Sequence, residues 1–277
     1  MENSFQKLSV SWKQWIEDNI LRGCTIDSMV DVMSLNGFQR SDALALLAEA
    51  TNELDIPSSL RQGDLPLSAS GLNFDGRHLN VLMTLDSPKI ALFEQVLSEQ
   101  ECDELVRLSQ HRLKKSTIVN SQDGSTDIIE DRSSSGTYFN VREDEFISSI
   151  DERLSVLTSM PVEHGEGLQV IQYLPGGEYK AHFDYFPPNE PGSTTHLKQG
   201  GQRVCTVVIY LNDVTAGGQT RFPTLGLDIW PKKGSALRFS YCNAEGELDA
   251  RTLHAGMPVI QGEKWIATKW VRAKPYA

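Results

Sequence analysis

From Leu168 to Val271 the chain is a succession of short apolar runs, LQVIQYL, EYKAHFDYF, RVCTVVIYL, DIWP, SALRFSY, TLHAGMPVI and WIATKWV, punctuated by PGG, PPNEPG, GG and KKG. Val, Ile, Thr and aromatic side chains suit a pleated surface, and Gly and Pro at these intervals turn the chain between runs. Short strands at this spacing predict a sandwich or a barrel.

The N-terminal third has a different period. Leu8, Trp12, Trp15, Ile16 and Ile20 recur at helical spacing up to Arg22-Gly23. Thr25 can cap a second helix carrying Ile26, Met29, Val30 and Met33, which stops at Asn36-Gly37. Ser41 and Asp42 open a third with Leu44, Leu47 and Ala48. Residues 1–55 therefore read as a three-helix module whose small core takes Trp12 and Trp15. Residues 56–86, rich in Pro, Gly, Ser and Asp, read as a linker leading into a first strand. The remaining 87–277 begin with the apolar run KIALFEQVL and a helix from the Ser98/Glu101 capping box to about Leu113. A polar loop over 120–135 and a helix from Asp144 to about Ser159 follow, giving an α+β chain overall.

Charge and cysteine usage narrow the function classes. With 37 acidic against 26 basic residues the 277-residue chain carries a formal charge of -11, which disfavours a duplex phosphate backbone as partner. Cys24, Cys102, Cys205 and Cys242 form no CxxC pair, so neither a zinc knuckle nor a disulfide framework is expected. The polar N-terminus and the absence of any long apolar stretch lead us to expect a cytoplasmic chain without a membrane partner.

Chemistry is concentrated in three places. His182 and Asp184 are two apart in a strand-like segment, so both point to one face and can grip one ion together. That pattern alone also describes an exposed strand edge. His254, in TLHAGMPV, changes the weighing, because two imidazoles and one carboxylate make a facial triad with open positions suited to non-haem Fe(II). Lys264, ten residues further on in GEKWIATKW, is a cation among apolar neighbours that can anchor the far carboxylate of a dicarboxylate cosubstrate.

These motifs, together with SPKIALFEQVLSEQECDEL, DRSSSGTYF, GGQRVCTVVIYLNDV, GGQTRFP and WPKKGSALRF in the same order, resemble the prolyl 4-hydroxylase branch of the Fe(II)/2-oxoglutarate-dependent dioxygenases over about residues 86–273. The resemblance implies a double-stranded β-helix (jelly-roll) with flanking helices and a metal site inside it. It implies that His182, Asp184 and His254 bind Fe(II). Lys264, helped by Tyr173, Thr220 and Trp270, would hold 2-oxoglutarate. Arg203, Tyr179, Glu166 and Tyr138 fall where relatives meet substrate, with Tyr138 standing where a Trp is common. The implied reaction consumes dioxygen and hydroxylates a prolyl residue of a peptide or protein, or a free cyclic amino acid such as proline or pipecolate. 2-Oxoglutarate leaves as succinate and CO2, with ascorbate as a reductant. A catalytically silent metal-binding sensor or scaffold is the alternative of another class. The loop at 120–135 and the stretch PPNEPGSTTHLKQ are expected as lids.

Overall fold

The helical spacing at the N-terminus folds as three helices, α1 (Val10–Leu21), α2 (Ile26–Leu35) and α3 (Arg40–Glu53), after a short 3-10 turn at Phe5–Lys7. This computed structural model describes residues 5–21, 26–53, 71–74, 77–115, 118–119, 126–127, 133–187, 192–242 and 247–276. Ile16, Met29, Val30, Met33, Leu46 and Leu47 bury themselves together with Phe5. Trp12 meets Trp15 and Phe38 edge to face at 5.2 and 4.9 Å, closing one side of that small core. Gly37, at φ 91, takes the left-handed conformation that ends α2. Thr25, the expected cap, and Cys24 lie outside the described residues.

The remainder is built on two main sheets, with two short two-stranded pairs beside them, Ile118–Val119 with Thr126–Asp127 and Ala216–Gly217 with Val259–Gln261. The strands of the main sheets, in chain order, are β1 (Gly71–Phe74), β2 (Arg77–Asp86), β3 (Lys89–Phe93), β4 (Lys114–Lys115), β5 (Ser135–Phe139), β6 (Leu168–Tyr173), β7 (Tyr179–His182) and β8 (Arg203–Tyr210). They continue with β9 (Thr220–Phe222), β10 (Leu227–Ile229), β11 (Ala236–Ser240), β12 (His254–Gly256) and β13 (Lys264–Arg272). Among the described residues the major sheet runs β1-β2-β3-β11-β8-β13-β6-β5-β4 and the minor sheet β10-β9-β12-β7, all pairs antiparallel. The short strand runs predict a sandwich or a barrel, and the arrangement is the jelly-roll that the family resemblance implies.

Two helices cover the outer face of the major sheet. α4 (Glu99–Gln110) starts at the capping box, where Ser98 and Glu101 satisfy each other's backbone N–H groups. α5 (Glu145–Thr158) is capped by Asp144 and lays Ile147, Ile150, Leu154 and Leu157 into the core with Val170, Val207, Ile209 and Ala267. Arg153 of α5 reaches Glu101 of α4 at 2.8 Å. Burial opposes the Glu101 charge, yet the hydrogen bonds from Arg153 and Ser98 hold its pKa down at about 2.

Part of the expected linker is strand. β1 and β2 fall inside 56–86, and the chain divides into compact units of Met1–Asp64 with Cys242–Leu248, and of Leu65–Tyr241 with Asp249–Ala277. Gly, Asp and His interrupt the hydrophobic pattern there, so the strand content was masked; burial of Leu72 and Leu79 in the main core reveals it. A chain beginning at residue 65 is expected to keep iron binding. One beginning at 80 loses both leucines, at a cost on the order of 5 kcal/mol, and its thermal midpoint should fall sharply. Equal midpoints for the two would return β1 and β2 to the linker. The 120–135 loop lies mostly outside the described residues, as do residues 188–191 of the second expected lid; its remainder forms α6 (Ser193–Lys198). Cys102, Cys205 and Cys242 are free thiols.

Candidate active site

The register of β7 against β12 places His182 directly opposite His254, with ring centroids 4.4 Å apart. The strand expected to continue through Asp184 ends at His182. Asp184 is drawn out of the ladder by Thr206 of β8, whose Oγ1 donates to Oδ2 at 2.6 Å, and by Arg203, whose Nη1 donates to the Asp184 carbonyl at 3.2 Å. Oδ1 consequently lies 3.4 Å from His182 Nε2 and Oδ2 lies 3.6 Å from His254 Nε2. One donor atom of each residue falls within 4.8 Å of the others.

The imidazole tautomers follow from the backbone. His182 Nδ1 sits 2.8 Å from the Lys180 carbonyl and His254 Nδ1 sits 3.0 Å from that of Thr252. A carbonyl only accepts, so Nδ1 carries the proton in each ring and both Nε2 lone pairs turn toward the shared point. Tyr179 stacks on His182 at 3.6 Å and Phe239 packs on His254 at 4.7 Å, fixing both ring planes. Burial, reinforced by His182, lowers the His254 pKa to about 4, which keeps this ligand neutral near pH 7. Burial opposes the Asp184 charge, but Arg203, and the two imidazoles whenever they are protonated, hold its pKa well below the ordinary carboxylate range.

The second pole of the site is Lys264. It pairs with Tyr173 across β13 and β6, is 2% exposed, and has no carboxylate ion-paired to it among the described residues. Its Nζ lies 5.6 Å from the Tyr173 ring centroid and 5.8 Å from that of Tyr210, whose hydroxyl donates to Thr220 Oγ1 at 2.8 Å. Burial alone lowers the Lys264 pKa to about 7. Strand parity explains why this lysine and not Lys269 faces inward. Lys264, Ile266, Thr268 and Trp270 line a cavity between the sheets. Lys269, of opposite parity, points to the helical face and pairs with Asp151 at 2.7 Å.

The cavity also receives Tyr173, Tyr179, His182, Asp184, Thr220 and His254. Two imidazole nitrogens, a carboxylate oxygen and an opposing buried cation form a donor set that fits Fe(II) at one end and a dicarboxylate reaching to the other. Trp270 Nε1 is buried without a hydrogen-bond partner among the described residues, so it has a proton to offer a bound ligand.

Of the positions expected to meet substrate, Tyr179 lines the cavity, and Arg203 and Glu166 pair with each other. Arg203 holds Glu166 with both arms of its fork, at 2.7 and 2.8 Å, and lies 4.0 Å over the Trp270 ring. Glu166 is shared with Arg272 at 2.8 Å. Tyr138 is 54% exposed on β5 and does not line the cavity. Sequence reasoning passed over Thr206 and Thr268, buried in β8 and β13 on the face that lines the cavity or lies beside it. A polar residue at inward parity in such a strand is the signal that finds them.

Comparison with known proteins agrees with this geometry. The profile of the 2OG-Fe(II) oxygenase superfamily matches residues 168–272. Probable prolyl 4-hydroxylase 7 of Arabidopsis thaliana is 34% identical over 255 residues, covering 84% of this chain and 78% of the relative. Prolyl 4-hydroxylase 2 of the same plant is 36% identical over 210 residues, covering 68% and 69%. The structure of viral collagen prolyl hydroxylase from Paramecium Bursaria Chlorella virus-1, in its 2OG complex, is similar at a TM-score of 0.51 and 30% identity, covering 66% of this chain and 95% of that one.

Proposed function

The chain belongs to the prolyl 4-hydroxylases of the 2OG-Fe(II) oxygenase superfamily, and from that premise we propose that it hydroxylates a prolyl residue within a peptide or protein. The observation that carries the reading is the buried Lys264 amine, with no carboxylate paired to it among the described residues, facing the same cavity as the two Nε2 atoms and the Asp184 carboxylate. Fe(II) and 2-oxoglutarate, bound there, supply with dioxygen the oxidation that replaces a proline C–H by C–OH, while 2-oxoglutarate leaves as succinate and CO2.

The chain's own residues bind, orient and seclude. His182, Asp184 and His254 hold the metal, and Lys264 pairs with the distal carboxylate of the cosubstrate. The Tyr173 and Thr220 hydroxyls are placed to help it, and Ile171, Val208 and Ile266 keep that end of the cavity dry. Ascorbate as an accessory reductant belongs to the same proposal, on the strength of the family resemblance.

The state of Arg203 favours a peptide over a free amino acid. A free proline or pipecolate brings a carboxylate that needs a cation. Arg203 has Nε and Nη2 committed to Glu166 and Nη1 directed to the Asp184 carbonyl. A peptide carbonyl makes no such demand, and an extended proline-rich chain is already stiff. With proline-rich peptide, free L-proline and L-pipecolate offered separately, the peptide is expected to be hydroxylated at least 10 times faster than either amino acid (about 1.4 kcal/mol in kcat/KM). Turnover of a free amino acid with none on any proline-rich peptide would overturn the substrate assignment.

A further inference from the structure

Asp184 is held from behind by two hydroxyls that the proposed chemistry does not use. Thr206 Oγ1 lies 2.6 Å from Asp184 Oδ2, and the Tyr241 hydroxyl meets Thr206 Oγ1 in turn. Both residues are buried, at 0% and 1% exposure, so no bulk water competes for these contacts. The backbone builds the arrangement. Thr206 faces Phe239 across β8 and β11, and the Tyr241 N–H continues that ladder to the Val204 carbonyl at 3.1 Å, bringing the phenol beneath the threonine.

The proton directions are forced. An ionised carboxylate has no proton to give, so Thr206 must donate to Asp184. Having spent its one proton, Thr206 accepts from Tyr241, whose phenol burial keeps protonated. The chain of donors runs from Tyr241 to Thr206 to Asp184 Oδ2, which also lies 3.6 Å from His254 Nε2; the relay occupies one lone-pair direction of that oxygen and leaves Oδ1, 3.4 Å from His182 Nε2, as the less committed of the two toward the metal.

We propose that Thr206 and Tyr241 are positioning residues that act through Asp184, reserving its Oδ2 so that the carboxylate presents a single, fixed oxygen to the metal. The inference rests on the metal site proposed above. A carboxylate that gives one oxygen, rather than clasping the ion with both, keeps a position available for cosubstrate or dioxygen. Charge-assisted hydrogen bonds from buried hydroxyls also fix its rotamer before the ion arrives, so less ordering is left for binding to impose.

The test is equilibrium binding of Co(II), a redox-stable ion, to the full chain, read by its visible absorption and by titration. Thr206→Val, which keeps shape and loses the donor, is expected to bind Co(II) about 10- to 100-fold more weakly than wild type, with an altered absorption envelope. Thr206→Ser should restore the affinity to within about threefold, and Tyr241→Phe should weaken it by a smaller factor than Thr206→Val while leaving the thermal midpoint nearly unchanged. Wild-type affinity in Thr206→Val or in Tyr241→Phe would overturn the relay. So would a Thr206→Ser protein as weak as Thr206→Val, because volume and not the hydroxyl would then matter. If the wild-type chain itself fails to bind Co(II), the metal site falls and the relay with it, an outcome distinct from a bound ion indifferent to Thr206.

Discussion

Alanine at His182, Asp184 or His254 is expected to abolish turnover and to weaken metal binding by more than about 100-fold, beyond the loss typical of residues that merely support a ligand. Each of the three supplies one donor atom to one point. Among the described residues no fourth His, Cys, Asp or Glu joins the group, so none of them replaces the missing ligand. The fold should survive, because the ligands stand apart from the apolar cluster that joins α4 and α5 to the major sheet. Metal titration and far-UV circular dichroism on the same samples separate loss of ligand from loss of structure. Undiminished activity in any one variant would remove that residue from the site.

Lys264→Ala should raise the 2-oxoglutarate concentration needed for half-saturation by about 100-fold, near 3 kcal/mol, while Co(II) affinity stays within a fewfold of wild type. The distal carboxylate would enter a dry cavity with no cation to meet it. Lys269→Ala is the contrasting case. It strands the buried Asp151 carboxylate on the helical face and should cost about 3 to 5 kcal/mol of stability without changing dependence on 2-oxoglutarate. Reversed outcomes for the two lysines would mean that the strand parity is misread. A pH effect follows from the same burial. With its pKa lowered to about 7, Lys264 is neutral in the free protein above that pH and must take up a proton to meet a carboxylate. Affinity for 2-oxoglutarate should therefore fall as pH rises from 7 to 9, by up to about tenfold per unit. A flat profile over that range would contradict a lysine titrating there.

The candidate triad and its lysine could be proposed from the sequence because HFD, TLHAG and GEKW occur together in the order of the resembling family; HFD alone describes an exposed strand edge equally well. What brings them together could not. The pairing of His182 with His254 is a matter of register between strands more than sixty residues apart in the chain, and spacing along one strand carries no information about it. The helices read more cleanly, because a cap such as Ser98 or Asp144 is a local device that acts within one turn. β1 and β2 were hidden by turn-forming residues. For Tyr138 and the Arg203–Glu166 pair the motif marks the positions, while exposure and partners are decided by neighbours distant in the chain. Thr206 passed unnoticed because a threonine suits a strand well enough without any further reason for being there.

The central claim is tested most directly by incubating the full chain with Fe(II), 2-oxoglutarate, dioxygen and a proline-rich peptide. Succinate and peptide mass are then measured together. The expected result is peptide heavier by one oxygen atom, located on proline by fragmentation, with one succinate formed per hydroxylation and neither product in the His254→Ala protein. Succinate formed without any modified proline would contradict the peptide substrate, and the absence of succinate from a metal-loaded wild-type chain would contradict the enzyme itself.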